Sequence, residues 1–449
     1  MTRFITLITI ILVAKSMVLA QNEVLDRYIK MGVENNLSVT QKQIELQQRH
    51  AALKMAKAEF LPTIDFNARY TKATGGRSFE IPTGDLMNPV YSTLNGIVGE
   101  NQFPEIGNQE LNFNRTTDVQ TQFTLSQMLF DKRLSLSKSI VEQQVKSDYE
   151  EVAIEKRSLV AEIKKGYYNY LKSLSVLELL ESTKDLATEN YDVSQSLYQN
   201  DKVTQDVVWR AKSDLSGIDF QIAEANKNLA VTASYFNFLL NRPLDSTIEV
   251  DSFNLSIPEV ISLEASPDAR EEWKQLEIGK QANELNSKLV KSNNLPNLYA
   301  VVDYGFQGTS YQFNTEADYT LASLVLSWNI FNGGKNKAHV QKIKLENQRL
   351  ATQQRELEQS IQLEVIQAYH SIRAATQNRQ TSFDREKDAS ETYRLINRKF
   401  KEGMAAQVEL VDARHNLTIA SLQKIIAHYD LWSAYADYER ANASYSFNY

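Results

Sequence analysis

Two stretches with the same plan decide the fold: residues 57–70 read KAEFLPTIDFNARY, and residues 291–304 read KSNNLPNLYAVVDY. In each stretch a helical pattern runs into a Leu-Pro pair, at Pro62 or Pro296, and a pattern of period two follows. Proline cannot continue a helix, but it can open a strand. Each stretch therefore predicts a helix that ends where a β-strand begins.

Two further pairs of segments repeat in the same order. Residues 121–131 (TQFTLSQMLFD) resemble residues 322–332 (ASLVLSWNIFN), and residues 201–215 resemble residues 403–417. A duplication of this length predicts one structural unit that occurs twice. The offset between the copies falls from 234 residues at the prolines to about 201 afterwards, so the first copy carries 33 extra residues before its second strand.

Each copy has the order helix, strand, loop, strand, very long helix, short break and return helix. We predict a first repeat over 21–241, an equatorial linker over 242–267 and a second repeat over 268–449. The predicted elements of the first repeat are a helix at 41–60, a β-hairpin at 62–130, a long helix at 133–200 and a return helix at 205–240. Those of the second repeat are a helix at 268–293, a β-hairpin at 296–331, a long helix at 335–401, a return helix at 406–443 and a tail.

The first three predicted strands alternate in polarity, whereas the fourth, over about 318–330, has apolar residues on both faces. In the first strand Ile64, Phe66, Ala68 and Tyr70 share one face. The polar positions of the first three strands are Asp65, Asn67, Arg69, Gln120, Gln122 and Asp303. Such alternation is typical of a half-buried sheet in a soluble protein, and also of membrane strands that face lipid on one side and water on the other.

The long helices are marked by an absence of helix breakers. Residues 133–200 contain no Pro and one Gly, Gly166, and residues 335–401 contain neither. Sixty-eight residues of helix would be ~100 Å long. Taken alone, helices of this kind suggest a coiled-coil spacer.

The N-terminus and the composition restrict the class of protein. Residues 1–20 have the basic, apolar and small-residue regions of a cleaved secretory signal. The chain has 449 residues, a net charge of −7 and no Cys, which excludes disulfides and thiol chemistry and argues against nucleic acid as a partner. Mean hydropathy is −0.41, which argues against a bundle of membrane-spanning helices.

Four strands per chain set a geometric limit. Membrane sheets must close, because an open edge in lipid leaves backbone N–H and C=O groups unpaired at several kcal/mol each. Known bacterial barrels begin at about eight strands. If these strands enter a membrane, identical chains must share one barrel; two copies supply eight strands and three supply twelve.

The order and duplication of these motifs resemble the TolC family of outer-membrane efflux channels. The resemblance is carried by the two Leu-Pro strand entries, by the junctions Leu129-Phe130-Asp131 and Ile330-Phe331-Asn332, and by Leu410-Val411-Asp412-Ala413 after Gly403. It implies a mainly α fold with a small β part: a homotrimer whose 12-stranded β-barrel is fused to a long α-helical barrel, with no cofactor. It also implies outer-membrane lipid around the strands, a periplasmic adaptor protein, and an inner-membrane pump or secretion ATPase that supplies energy.

The resemblance also places a gate at the periplasmic tip, where the long helices turn back. Glu409 and Asp412 align with the acidic rings of the family, and Phe400 aligns with its tip tyrosine. In the first copy Val207 takes the position where an Asp is often found, and Asp206 lies one residue earlier. The alternative interpretation is that these acids simply stabilise the starts of their helices.

Adaptor contact is expected at the turns between the long and return helices, over 199–205 and 401–407. Its residues would be Asn200, Asp201, Lys401 and Gly403. The arginine that latches the tip in the family aligns with Ala405, so that ion pair is absent here.

The stretch 75–117 contains Gly75, Gly76, Pro82 and Pro89 among other helix breakers. This composition predicts either an extracellular loop that caps the pore or a disordered insertion. Its counterpart over 308–317 is short. The five histidines are scattered, and no metal-ligand or nucleophile motif appears.

The leading hypothesis is a passive outer-membrane exit duct. The alternatives are a periplasmic coiled-coil adaptor without a pore and a secreted enzyme with helical decoration.

Overall fold

The computed structural model describes residues 23–250 and 262–445. Eight helices and six strands follow one another in this part of the chain. The elements of the first copy are α1 (Glu23–Asn35), α2 (Leu37–Ala58), β1 (Thr63–Lys72), β2 (Ser78–Ile81), α3 (Thr83–Val98), β3 (Gln109–Asn112), β4 (Thr117–Phe130), α4 (Lys132–Gln199) and α5 (Gln205–Leu239). Those of the second are α6 (Glu271–Ser292), β5 (Asn297–Gly308), β6 (Asp318–Ser327), α7 (Lys335–Lys401) and α8 (Gln407–Ala441).

The long and return helices begin and end within two residues of the predicted positions. The predicted signal at 1–20, the centre of the equatorial linker and the last four residues of the tail lie outside the described residues. Helix α1 was not predicted from the sequence, and the fourth strand ends a few residues earlier than predicted.

The compact units cut across the two sequence repeats. A helical unit takes the described parts of Met1–Ala51, Glu142–Glu284 and Leu345–Tyr449. A strand unit takes Ala52–Val141 and Leu285–Lys344. Each unit therefore contains residues of both copies, because strands of one copy pair with strands of the other.

The strand unit contains one antiparallel sheet of four strands in the order β1-β4-β5-β6. The pairing of β4 with β5 joins the first copy to the second and sets Thr124 opposite Asp303. Gly305 permits a close approach there, since a Cβ atom at this position would lie 2.2 Å from the carbonyl oxygen of Thr121. Among the strands described, β1 and β6 each have one neighbour, so both outer edges of the sheet are open.

The alternative of a disordered insertion over 75–117 is wrong, whereas the extracellular loop that caps the pore stays a prediction. The segment folds into the β2–β3 pair and helix α3. Its Gly and Pro residues suggested a loop, but they occupy turns and the helix start: Gly75, Gly76 and Gly99 adopt positive φ, and Pro82 precedes the first turn of α3. Pro89 lies inside the helix.

The core of the helical unit lies around the middle of α4. Here α1 packs against α4, α5 and α8, and Tyr28, Ile163, Tyr167, Phe236 and Leu431 are almost completely buried. Tyr28 and Phe236 meet edge to face with ring centroids 5.1 Å apart. Outside this cluster, α4 and α5 share a smaller apolar cluster of Leu177, Leu180 and Ala225.

We expect Ile163→Ala to destabilise the helical unit by about 2–5 kcal/mol, because it leaves a cavity in a fully buried site. Ile426→Ala, on the exposed part of α8, is the control and should cost no more than about 0.5 kcal/mol. Denaturant titration of the detergent-solubilised protein measures both. Equal midpoints for the two variants would contradict this assignment of the core.

Candidate functional site

The predicted polar positions of the strands do lie on one face of the sheet. Arg69 Nη2 donates to Gln120 Oε1 over 2.9 Å, and Gln122 Nε2 donates to Asp303 Oδ1 over 2.6 Å. Asp65 and Asn67 are on the same face, in register with Thr124 and Gln122 of β4. These contacts join three strands from both copies of the repeat into one hydrogen-bonded surface.

Acidic groups outnumber basic groups on this face. Arg69 is its one basic side chain in the paired strands, against Asp65, Asp118 and Asp303. Arg69 Nη2 lies 3.9 Å from Asp118 Oδ2. Asp65 makes no ion pair with any of the described residues. A surface with this excess of carboxylates favours cations over anions in the water beside it.

The opposite face of the sheet is apolar and uncovered. Phe66 and Phe123 contact each other across the β1–β4 pair with ring centroids 4.9 Å apart, yet both remain more than half exposed. The other large apolar residues exposed on this face are Ile64, Tyr70, Leu125, Val302, Tyr304, Leu324 and Leu326. A soluble sheet normally buries such a face, so the expectation of a half-buried soluble sheet does not fit.

The two helix turns adopt the left-handed geometry that their residues tolerate. Asp201 has φ of 53°, and its N–H donates to the carbonyl oxygen of Tyr198 over 3.0 Å. Gly403 has φ of 75° at the second turn. Asn200 is exposed, and its amide returns to the carbonyl oxygen of Ser196 over 2.8 Å. Aspartate and asparagine are among the few residues other than glycine that enter this region at low cost.

The predicted gate acids are all exposed, and each makes a local contact. Glu409 Oε1 accepts from the backbone N–H of Ala406 over 3.3 Å at the start of α8. Asp412 accepts from Asn416 over 3.2 Å, and Asp206 accepts from Thr204 and faces Arg210 at 3.5 Å. Phe400 is half-buried. Within one chain these contacts are local, at the helix start for Glu409 and Asp206 and within α8 for Asp412. The structure brings no two of these acids together in the part that it describes.

Other contacts near the turns do connect separate helices. Lys401 Nζ of α7 lies 2.9 Å from Glu189 Oε1 of α4, and that carboxylate raises the pKa of the lysine. Gln407 Nε2 donates to the carbonyl oxygen of Val207 over 3.0 Å and to Ser194 Oγ over 3.3 Å. Gln407 thereby ties the starts of both return helices to α4.

One ion pair close to the turns is buried. The guanidinium of Arg414, 5% exposed, pairs with Asp214 and so joins α8 to α5. Among the neighbouring interhelical pairs, that of Lys184 with Asp219 is about half exposed. The pairing of Arg414 was not predicted from the sequence, because its partner lies 200 residues away and no local pattern marks either residue.

A second buried ion cluster lies at the start of α6. Arg157 of α4 binds Glu271 through two hydrogen bonds of 2.8 and 2.6 Å and donates to the carbonyl oxygen of Tyr445 over 3.0 Å. Arg270 lies 2.8 Å from Glu272 and 2.9 Å from Glu364 of α7. This cluster fixes the end of α8, because Arg270 Nη1 also donates to the carbonyl oxygen of Ala441 over 3.0 Å.

Burial and pairing act in opposite directions on this cluster. Burial opposes the charge of Arg270, but hydrogen bonds to Glu272 and Glu364 outweigh it and raise the pKa of the guanidinium. Burial would likewise raise the pKa of Glu272, but the hydrogen bond from Arg270 holds that pKa below its ordinary value of 4.5. Both groups are therefore held in their charged forms at neutral pH.

A family model described as "Outer membrane efflux protein" matches residues 29–240 and 264–441. The chain belongs to the outer membrane efflux protein family. The match begins within α1 and ends at the last residue of α8, so it includes the four-stranded sheet, both helix turns and both buried ion clusters.

Three solved structures with similar folds are outer-membrane proteins. The CmeC outer membrane channel of Campylobacter jejuni has a TM-score of 0.77 at 15% identity, covering 93% of this chain and 85% of that one. The outer membrane protein VceC of Vibrio cholerae has a TM-score of 0.73 at 12% identity, covering 93% and 95%. The MtrE outer membrane channel of Neisseria gonorrhoeae, solved in its open state, has a TM-score of 0.72 at 16% identity, covering 93% and 88%.

Among curated protein sequences, none matches this chain significantly. The family and the fold together confirm the predicted fold class, mainly α with a small β part. Efflux at the outer membrane is likewise confirmed as the function of the family to which the chain belongs, and a poreless adaptor is not favoured. No helix in the described residues is long and apolar enough to cross a membrane.

Asp214→Asn should destabilise the turn end of α5 and α8 by about 3 kcal/mol, because it leaves the buried Arg414 charge uncompensated. Asp219→Asn, five residues later on the same helix, removes an exposed pair and should cost less than about 1 kcal/mol. Hydrogen exchange of the amides in α5 and α8 measures the difference. Equal exchange in the two variants would show that burial of the Arg414 pair does not matter.

The Arg270–Glu272 pair should make stability depend on acid. Since the pKa of Glu272 is lower in the folded than in the unfolded protein, its stabilising contribution is complete above its ordinary value of 4.5 and disappears as pH falls through the folded-state pKa. We expect Glu272→Gln to reduce the free energy of unfolding at neutral pH. As pH falls below 4.5, the variant should lose less of its free energy of unfolding than the parent does. Glu284→Gln, at an exposed position of α6, is the control for urea titrations across pH. Parallel curves for the parent and Glu272→Gln would reject this role.

Proposed function

We propose that three copies of this chain form a passive exit duct through the outer membrane. Their strands would make a closed barrel of twelve, and their helices a hollow periplasmic barrel. The observation that carries the proposal is the four-stranded sheet with two open edges and one uncovered apolar face. Family membership supports the outer-membrane setting.

The open edges require neighbours. Every backbone N–H and C=O group on the outer sides of β1 and β6 needs a partner if the sheet enters lipid. The strands run alternately up and down, so β6 of one copy meets β1 of the next in antiparallel fashion. Repetition of the same pairing closes a ring without any edge, which a single chain of four strands is too small to achieve.

In this arrangement the apolar face meets lipid and the polar face lines the pore. The hydrogen-bonded surface of Arg69, Gln120, Gln122 and Asp303 would then be wet, which suits side chains that bond to one another and to water. Three copies of its acidic excess would give the barrel a negative interior. The aromatic residues Trp328 and Phe331, both exposed, suit the water–lipid boundary just beyond the strands.

At the other end, the helix turns would form the periplasmic tip and its gate. Glu409, Asp412, Phe400 and Asp206 are the proposed constriction, since threefold repetition would turn each exposed acid into a ring. The pair of Lys401 with Glu189 offers an interhelical connection beside the turn, at a distance of 2.9 Å.

Nothing in this arrangement supplies energy, so transport depends on partners. The exposed turn residues Asn200, Asp201, Lys401 and Gly403 are the proposed contact for a periplasmic adaptor. Through that adaptor the duct would serve an inner-membrane pump or secretion ATPase. The residues 242–267 and the C-terminal tail are the proposed equatorial region.

The assembly and the pore can be tested together. Purified protein in detergent should have the mass of three chains by native mass spectrometry, and planar bilayers should show discrete single-channel conductance. A non-conducting monomer that stays in solution without detergent would refute the duct and would favour the periplasmic scaffold.

The gate assignment predicts a change in ion selectivity. Glu409→Gln combined with Asp412→Asn should lower the cation-to-anion permeability ratio, because it removes the carboxylates of two acidic rings from the proposed constriction. Glu402→Gln is a suitable control, since Glu402 is exposed in the same turn but is not a proposed ring position. Reversal potentials in a salt gradient give the ratio. If the control and the double variant behave alike, the acids act only at their helix starts.

A further inference from the structure

The β2–α3–β3 segment, residues 73–116, carries an apolar surface that its own chain leaves uncovered. Helix α3 has Leu86, Val90, Leu94 and Ile97 at spacings of four, four and three residues, which places them on one side of the helix. We call these four residues the α3 stripe. Leu86 and Ile97 are 67% and 76% exposed. From residue 86 to residue 98 the helix has no charged side chain.

The opposite side of α3 is held by its own chain. Asn88 exchanges two hydrogen bonds of 2.9 Å with the backbone of Ile106. Asn95 does the same with the backbone of Phe103, over 2.8 and 3.0 Å, and Tyr91 stacks on Phe103. These contacts hold the return segment against one side of α3, so the α3 stripe is preformed and points away from it.

The start of the helix is fixed as well. Asn108 accepts hydrogen bonds from the backbone N–H groups of Gly84 and Asp85, over 3.0 and 3.1 Å. Its amide donates to Glu80 of β2 over 2.9 Å. Helix α3 is thereby anchored to the β2–β3 pair, and a stripe fixed in this way can bind a partner without a large cost of ordering.

A second uncovered apolar group lies at the corresponding end of the sheet. The loop between β5 and β6, residues 309–317, carries Tyr311 and Phe313, which are 57% and 68% exposed. Phe313 packs edge to face on Phe306, with ring centroids 5.1 Å apart. The aromatic pair is therefore fixed to strand β5, and α3 of the same chain does not cover it.

Strand order places the segment between two copies of the loop. The segment joins β1 to β4 and the loop joins β5 to β6, so both project from the same end of the sheet. Within one chain they are separated by the β4–β5 spacing, about 5 Å, yet both apolar groups stay exposed there. Where β6 of a neighbour pairs with the open edge of β1, the neighbour's loop also lies one spacing from the segment, on its other side.

We propose that the α3 stripe binds the Tyr311–Phe313 pair of the neighbouring copy. The contact is continuous with the seam between β1 and β6, and the inference rests on the proposed closed assembly. It would clamp each seam outside the membrane-spanning part of the strands. The occupant is a second copy rather than lipid, because the segment around the stripe carries five acidic residues and two basic ones, which anionic headgroups repel.

Photo-crosslinking in cells can test this contact. Ile97 is replaced by p-benzoylphenylalanine, which attacks C–H bonds of whatever lies beside it. We expect a product of two chains, with the acceptor peptide containing residues 309–317. Ser92 is the matched control, since it is exposed on another side of α3, and it should give no such product. Tyr311→Ser with Phe313→Ser should remove the Ile97 product.

A probe at Tyr70 on β1 separates the two possible failures. Two-chain products from Tyr70 show that the strand seam exists. If Tyr70 gives them while Ile97 yields a lipid adduct, an adduct with another protein or no adduct, the clamp is wrong and the proposed duct stands. If Tyr70 gives none and the purified protein is a monomer, the closed assembly fails and the clamp fails with it.

Discussion

The hydrogen-bonding capacity of the two outer strands is the constraint on which the rest depends. Strands β1 and β6 end the sheet with a full row of backbone donors and acceptors, and the face between them is apolar. In water such a sheet would aggregate through its edges, and in lipid it would lose several kcal/mol per unpaired group. Identical neighbours satisfy both edges at once. Duplication of the two-stranded hairpin gives one chain four strands, which are too few to close a barrel without those neighbours.

The helices, unlike the strands, do not need neighbours for their backbone groups. A helix satisfies its own backbone, so α4 and α7 need partners only for their side chains. The structure concentrates this packing around Ile163 and Tyr167, in a buried cluster that contains residues of α1, α4, α5 and α8. Elsewhere, ion pairs connect the helices, and three of them involve a buried arginine: Arg414 with Asp214, Arg157 with Glu271, and Arg270 with Glu364. Buried pairs contribute little net stability but penalise any arrangement that separates the charges, so they favour one register of the helices.

The proposed role of the candidate gate acids exists only in an assembly of several chains. Glu409 makes the contact of an ordinary helix start and Asp412 bonds Asn416 within α8, and their proposed role arises only when symmetry repeats them. The same holds for Asp65 on the sheet, which has no ion pair in the described chain but would contribute to a ring of charge. Such sites are properties of an assembly, since the field at the axis is the sum of contributions from all copies.

The sequence by itself determined the long and return helices, the duplication and the polarity of the first three strands, because period, proline positions and the absence of helix breakers are local signals. It also placed Asp201 and Gly403 at turns that need left-handed backbone. Only the tertiary structure decided which strands are edges, because β4 pairs with β5 across the two repeats. It also revealed the pairing of Arg414 with Asp214, 200 residues apart. The sequence by itself left open whether 75–117 is a pore-capping loop or a disordered insertion. Its Gly and Pro residues obscured the helical spacing of the α3 stripe, and only the structure showed α3 held by Asn88, Asn95 and Asn108 through hydrogen bonds within the same segment.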